Sequence, residues 1–381
     1  EKEREREGEK KREERETKLG IGGWKLVHTR RPPTMTDIVN RQTLVPQKVG
    51  FLEYGTFEPQ EIVSMANAYC NDSHLYRQPT MEPLPNGLLD PRLGVSDQNS
   101  LCATCHQKLK VCPGHFGYVK LALPVFHVGF FRQTLTILQC ICKACSRLLL
   151  SEEDKTKCLR AMHKAQSDSF RRRAIFNKVV KLCKKTTRSR RCDFCKQLNG
   201  QVKKIGALKI IHDRYKDIKS DDIKEKQHYL ASFNSASRYN PEMRAQVGKV
   251  HEELNPARAL ELLKNIPYDD CALLDMDVVR GKPANLILTH IPVPPVCIRP
   301  VVAVDGAGTT NQDDLTIRLT NIVHLNEGIR QCMEKGGEAK SLYDGWEYLQ
   351  ITTALLINSE LPSLQAQATN LSTKASRGLC Q

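Results

Sequence analysis

The chain has 381 residues, with 58 Lys or Arg against 43 Asp or Glu and a formal charge of +15. That length can bury a substantial core in one large domain or a few ordinary ones. No apolar run approaches the roughly 18 residues of a membrane span, and the charged start lacks the apolar stretch of a secretory leader. The expectation is a soluble intracellular protein without a membrane partner.

The excess charge is local. Between Arg171 and Arg191 lie ten Lys or Arg and no Asp or Glu, which supplies +10 of the +15. Such a stripe suits an anionic partner, nucleic acid above all, or else a solvated loop. The candidate nucleic-acid contacts are Arg171, Arg172, Arg173, Lys184, Lys185, Arg188, Arg190 and Arg191.

In chain order, residues 1–17 are almost wholly Glu, Lys and Arg, and 1–48 is read as a disordered charged extension. Met35 is the candidate natural start. From Pro59 to Cys70, Ile62, Met65, Ala66 and Tyr69 share one helical face. Val119, Leu121 and Leu123 alternate as in a strand, and Phe126 to Ile141 suits a buried helix. Residues 202–212 and 285–291 read as strands, and the four prolines between Ile291 and Pro300 predict an extended segment. Last come two helices. Asp313 and Asp314 open the first, Gly336-Gly337 breaks it, and Ser341 is the candidate cap of the second. So short a connection predicts an antiparallel helical hairpin over 313–360. From Leu361 to Gln381 the chain is polar and aperiodic.

Fifteen cysteines in a reducing compartment call for metal rather than disulfides. One cluster reads Cys102-x2-Cys105-x6-Cys112-x2-His115. The other is Cys142-x2-Cys145, then 46 residues, then Cys192-x2-Cys195. A two-residue gap lets one tight turn present both side chains to a single ion, and Pro113-Gly114 suits a sharp turn. The long gap is tolerable because loop-closure entropy grows slowly with length. Two structural zinc ions are therefore expected, each with four protein ligands and no position left for a reacting water. Ligands of a RING domain interleave between two ions, which the close spacing of the first four disfavours. Cys140 and Cys183 are neighbours of the second set that could replace an assigned ligand, though neither belongs to a two-residue knuckle. Cys70, Cys158, Cys271, Cys297, Cys332 and Cys380 stand alone and are read as buried thiols, and His106 and His127 as turn or core residues.

Cys102-Ala-Thr-Cys105, Cys112-Pro-Gly-His-Phe-Gly-Tyr118 and Leu123-Pro-Val-Phe-His-Val-Gly129 resemble the N-terminal clamp of the largest subunit of multisubunit RNA polymerases. Leu208-Lys-Ile-Ile-His212, Leu254-Asn-Pro256, Pro294-Pro-Val-Cys-Ile-Arg-Pro300 and Asp313-Asp-Leu-Thr extend the likeness over about residues 50 to 377. Within the family the second cysteine set and the Pro-Pro-Val-Cys-Ile-Arg-Pro phrase most resemble nuclear RNA polymerase III, with polymerases I and II as near alternatives. The resemblance implies an α+β fold, an irregular multi-part clamp module with two structural zinc sites and a C-terminal antiparallel helical hairpin. It implies a clamp core over 49–302 with zinc sites in 95–120 and 140–200, and a lid-like loop over 303–312. A coiled-coil hairpin over 313–360 and the start of a rudder-like loop over 361–381 follow.

What the family does is implied likewise: DNA-templated RNA synthesis in the nucleus, beside a DNA template, an RNA–DNA hybrid, other polymerase subunits and transcription factors at the 313–360 hairpin. The family's Asn-Ala-Asp-Phe-Asp-Gly-Asp loop, whose aspartates hold magnesium, does not occur among these residues. Asp275-Met-Asp277 lacks its flanks and is read as a solvated turn. No catalytic residue is therefore assigned, the magnesium would lie outside this chain, and the chain is expected to be a fragment, inactive alone. The competing reading is a zinc-stabilised interaction protein that recruits partners through the hairpin. An independent enzyme is disfavoured, since no nucleophile–base set or phosphate-cradling loop is present.

Overall fold

The computed structural model describes residues 50, 54–165, 168–189, 191–215, 223–239, 252–278, 281–303, 310–362, 364 and 377–380. The 1–48 extension with Met35, residues 304–309 of the lid-like loop, residues 365–376 and Arg190 lie outside the described residues, as do the side chains of Lys185 and Arg188. Gly55–Gln381 forms one compact unit.

Helix α1, Pro59–Met65, starts on a proline, which has no N–H to leave unpaired in the first turn. The Glu61 carboxylate accepts from the Glu58 backbone N–H at 2.8 Å and closes that end. The helix is shorter than its apolar spacing predicts: Ala66 is extended, Tyr69 belongs to strand β1 (Ala68–Tyr69), and Ile62 is the helix's buried residue. A small antiparallel pair, β2 (Tyr76–Arg77) and β3 (Glu82–Pro83), follows.

Strand β4, Gly117–Phe126, is the spine. Val119 and Leu121 are buried as the alternation predicts, but the register slips between Lys120 and Val125. Within that bulge Leu123 is only half-buried, and beyond it the consecutive Val125 and Phe126 are both buried. Helix α2, Phe131–Cys140, begins five residues later than expected, because Phe126 ends the strand and a single 3-10 turn intervenes. Helices α3 (Glu152–Lys164) and α4 (Ser169–Ser189) cross the long gap of the second cysteine set. The basic stripe is thus helical rather than a loop. Val179 and Cys183 turn its apolar side into the core.

Residues 202–212 make two strands, β5 (Gln201–Ile205) and β6 (Lys209–Asp213), which pair antiparallel around Gly206 at φ +61°. Helix α5 (Ile223–Tyr239) precedes the short strand β7 (Glu252–Glu253), which completes this sheet in the order β5-β6-β7. Helices α6 (Pro256–Lys264) and α7 (Tyr268–Leu273) lead to β8 (Ile287–Val293). Strand β8 is antiparallel to β4, while β1 is parallel to β4 on its other side. The proline-rich segment after β8 is not wholly extended, since Val296–Ile298 form a 3-10 turn. Strands β9 (Val302–Ala303) and β10 (Thr310–Asn311) pair antiparallel.

Helix α8, Asp314–Lys335, is capped by the Asp313 side chain, which accepts from the Leu315 N–H at 2.9 Å. It ends on Gly336 in the left-handed region. Helix α9, Ala339–Ile357, begins two residues before Ser341, with Glu338 at its N-cap. The two helices pack on one another and on β4.

Two apolar cores share β4. Val119, Leu121 and Val125 join Ile291, Leu319, Ile322 and Leu349 in one. Phe126 belongs to the other, with Ile137, Leu138, Ile210, Leu262 and Leu273. Each such side chain contributes about 1.5–3 kcal/mol on burial, so both cores depend on the course of this strand. Arg299, wholly buried, donates to the carbonyls of Pro294 and Leu88 and to Thr316 Oγ1, tying the segment after β8 to α8. Burial pulls its guanidinium down to about 10. Among the described residues no helix is long and apolar enough to cross a membrane.

Candidate metal centres

Three Cys-x2-Cys turns, at 102–105, 142–145 and 192–195, share one backbone geometry. In each, the N–H of the first cysteine donates to the carbonyl five residues on, Gln107, Arg147 or Gln197, at 3.1, 2.8 and 3.0 Å. The same cysteine's carbonyl accepts from His106, Ser146 or Lys196 at 2.9, 3.0 and 2.9 Å. Those three residues sit at φ +56°, +59° and +57°. That conformation costs a side-chain-bearing residue about 1–2 kcal/mol and turns the chain back within a few residues. In the first two turns a backbone N–H, of Thr104 or Ala144, points at the first sulfur at 3.4 Å.

The fourth turn, Cys112 to His115, uses Gly114 at φ +79°, whose N–H lies 3.4 Å from the Cys112 sulfur. A Cβ on Gly114 would come within 2.5 Å of Pro295 and 2.7 Å of the Cys297 sulfur, so only glycine lets this turn rest on the proline-rich segment.

The turns pair in sequence order. Ligand atoms of Cys102, Cys105, Cys112 and His115 all lie within 4.8 Å of one another, and so do those of Cys142, Cys145, Cys192 and Cys195. Within the sets, Cys112 Sγ is 3.7 Å from His115 Nε2, Cys142 Sγ is 3.6 Å from Cys195 Sγ, and Cys145 Sγ is 3.8 Å from Cys192 Sγ. A tetrahedral ion with metal–sulfur bonds near 2.3 Å places its sulfurs about 3.8 Å apart. Both groups thus fit one four-coordinate ion each, with every position filled by protein. Cys140 and Cys183 stand outside them as free thiols, hydrogen-bonded to one another in the larger core. Of the lone cysteines, Cys70, Cys158 and Cys271 are buried as expected. Cys297 and Cys380 are exposed and Cys332 is half-exposed, contrary to the buried-thiol reading. His106 occupies a left-handed turn position, and His127 accepts from the Gly129 N–H at 3.1 Å.

The first group rests on a platform that motif reading missed. Carbonyls of Pro91, Arg92 and Leu93 accept from Ala103 N, Thr104 Oγ1 and His115 N at 3.1, 2.7 and 3.2 Å. Asp90 stiffens the platform: its buried carboxylate takes the N–H groups of Asn86 and Arg92 and pairs with the Arg92 guanidinium at 2.6 Å. Burial works against that charge, but the Arg92 bonds and the Asn86 N–H outweigh it and hold the carboxyl below its usual value. The Asp-Pro-Arg run was the available signal.

The second group has a buried lysine beside it. Lys143, between the first two cysteines, donates from Nζ to the Ile141 carbonyl at 2.7 Å and is 4% exposed. Burial pulls its ammonium down to about 8, against the upward pull of the neighbouring Cys142, Cys140 and Cys183. Arg258 donates to the Lys143 carbonyl at 3.1 Å. Arg147, after one cysteine turn, stacks 3.3 Å above the Phe194 ring in the other, so the two halves also meet outside the sulfur cage.

Among the described residues, the candidate nucleic-acid contacts are spread along one helix and the turn after it. Arg171 and Arg172 stand near the start of α4 and pair with Asp168 and Asp275 at 3.1 and 3.5 Å, and Arg173 is exposed beside them. Lys184 is exposed about 20 Å further along that helix. Arg191 is exposed too, donating to the Lys196 carbonyl at 3.1 Å. Asp275 and Asp277 lie exposed in a turn, with Asp275 at φ +54°.

The family model described as RNA polymerase Rpb1, domain 1, matches residues 46–381. The chain belongs to that family. It is 42% identical over 336 residues to the DNA-directed RNA polymerase III subunit rpc1 of Dictyostelium discoideum, covering 88% of this chain and 22% of the relative. Against the subunit of that name in Schizosaccharomyces pombe it is 41% identical over 348 residues, 91% of this chain and 24% of the relative. Against DNA-directed RNA polymerase III subunit RPC1 of Homo sapiens it is 39% identical over 325 residues, 85% and 23%. This member of the Rpb1 domain 1 family therefore spans under a quarter of the length of these curated relatives.

Proposed function

We propose that this chain is the clamp portion of the largest subunit of DNA-directed RNA polymerase III and takes part in DNA-templated RNA synthesis by closing over the DNA–RNA hybrid. Identity of 39–42% to polymerase III subunits over most of the chain carries this reading. Each four-ligand group holds one structural zinc ion, which cross-links two turns and contributes on the order of 10–16 kcal/mol to ordering a small module. The fit of the sulfur spacings to a tetrahedron supports zinc. Neither site takes part in nucleotidyl transfer. The magnesium-holding aspartates belong to a part of the subunit outside these residues, so this chain is inactive by itself.

In this reading 49–302 is the clamp core, 303–312 the lid, 313–360 the coiled-coil hairpin that receives transcription factors, and 361–381 the start of the rudder. The exposed Arg173, Lys184 and Arg191, with Lys185, Arg188 and Arg190, contact nucleic-acid phosphate, as do Arg171 and Arg172 once they leave their carboxylate partners. The compartment is the nucleus. Affinity capture of the tagged chain followed by native mass spectrometry tests the whole: other polymerase III subunits and two zinc ions per chain are expected. Recovery of polymerase I or II subunits would reassign the class. Recovery of no polymerase subunit would favour the stand-alone interaction protein.

A further inference from the structure

We propose that Asn199 is a positioning residue for the second metal centre, its side-chain amide holding the Cys142 sulfur and the Lys143 backbone in the geometry that receives the ion. The proposal rests on the metal reading of Cys142, Cys145, Cys192 and Cys195. Asn199 is 1% exposed, and each polar atom of its amide has a partner. Oδ1 accepts from the Lys143 N–H at 2.9 Å, while Nδ2 donates to Cys142 Sγ at 3.3 Å and to the Gln197 carbonyl at 3.1 Å. Cys142 and Lys143 belong to the 142–145 turn. The Gln197 carbonyl closes the 192–195 turn by accepting from the Cys192 N–H. One amide therefore joins the two halves of the site.

Its backbone is held from the other side. The Gly200 N–H donates to His212 Nε2 at 2.9 Å, and Gly200 lies so close to β6 that a Cβ there would fall 1.8 Å from the Asp213 carbonyl oxygen. The amide is thus held by backbone groups as well as by the sulfur, the condition under which an outer group orients a ligand rather than following it.

The chemistry requires an amide. A divalent ion with four thiolates carries a net charge of roughly −2, so N–H donors to sulfur are favoured and carboxylates are not. Aspartate matches asparagine in shape but would set an acceptor against both the Cys142 sulfur and the Gln197 carbonyl.

Loading the full chain with cadmium-113 and recording its NMR spectrum tests this, with the first site as internal reference. In N199D the second-site signal is expected to move and its metal to pass to a competing chelator 10–100-fold more readily, with the first site unchanged. L149A loosens the apolar contact of Leu149 with Cys142 and Cys192 but keeps the N–H···S bond, so its cadmium signal should stay in place. If N199D fails to fold, N199A decides by the same two readings. A second-site shift and chelator sensitivity equal to those of the unmodified chain would overturn the role of Asn199. An unmodified chain that takes up fewer than two cadmium ions would overturn the metal reading instead.

Discussion

Asn326 completes strand β4 at Ala122. Its Oδ1 accepts from the Ala122 N–H at 2.6 Å, and its Nδ2 donates to the Lys120 carbonyl at 3.0 Å. These backbone groups fall where the pairing of β4 with β8 is interrupted, so a side chain of α8 supplies bonds the sheet cannot. Leucine at 326 leaves both without a partner, at about 1–3 kcal/mol each. N326L is expected to lower the denaturant midpoint of the chain with little change in slope, as followed by tryptophan fluorescence. An unchanged midpoint would show that the bulge is satisfied in some other way.

Gly200 and Gly206 lie six residues apart and are expected to differ sharply in their tolerance of alanine. A Cβ on Gly200 meets the Asp213 carbonyl oxygen at 1.8 Å, so G200A must displace β5 from β6 and should cost more than about 4 kcal/mol. At Gly206 nothing lies within 4 Å, and the cost of G206A is only that of alanine at φ +61°, about 1–2 kcal/mol. Parallel chemical denaturation of the two variants checks the ratio.

Stability should depend on pH through His212. The ring is wholly buried, with Nε2 accepting from Gly200 N and Nδ1 3.0 Å from the Glu252 carboxylate. Desolvation outweighs the pull of Glu252 and, helped by Lys143 and Arg214, holds the ring below its ordinary value of 6.5. The unfolded chain therefore takes up the proton first as pH falls. His212 costs nothing well above pH 6.5. Below it, stability falls at up to about 1.4 kcal/mol per pH unit until the folded ring titrates. Unfolding free energies between pH 7.5 and 5 should fall more steeply for the unmodified chain than for H212Q; parallel slopes would remove His212 as the cause.

Cys192→Ser should abolish one metal site and spare the other, because the two groups share no ligand. Elemental analysis is expected to fall from two zinc ions per chain to one. Loss of both would mean that the sites fold as one unit, and retention of both would mean that Cys140 or Cys183 can substitute.

The gathering of these eight side chains into two groups of four was legible in the sequence, because a Cys-x2-Cys turn is built from local backbone bonds that need nothing beyond residue 107, 147 or 197. The cap of α8 at Asp313 and its stop at Gly336 were legible for the same local reason. Tertiary structure decided what periodicity alone could not. Helix α1 stops at Met65 because Ala68 and Tyr69 are taken up as a strand beside Gly117 and Tyr118, and Phe126 extends β4 rather than α2 because Ile287 pairs with it. That the basic stripe is a helix with Val179 and Cys183 buried on one side, and not a solvated loop, is visible only in the packing. Asn199 and Arg258 reach the 142–145 turn, and the carbonyls of Pro91, Arg92 and Leu93 reach the first group, through bonds between segments that motif spacing does not connect. Local hydrogen bonding writes the turns into the sequence, whereas which strand or helix claims an apolar residue depends on partners far away in the chain, such as Gly117 for Ala68 and Ile287 for Phe126.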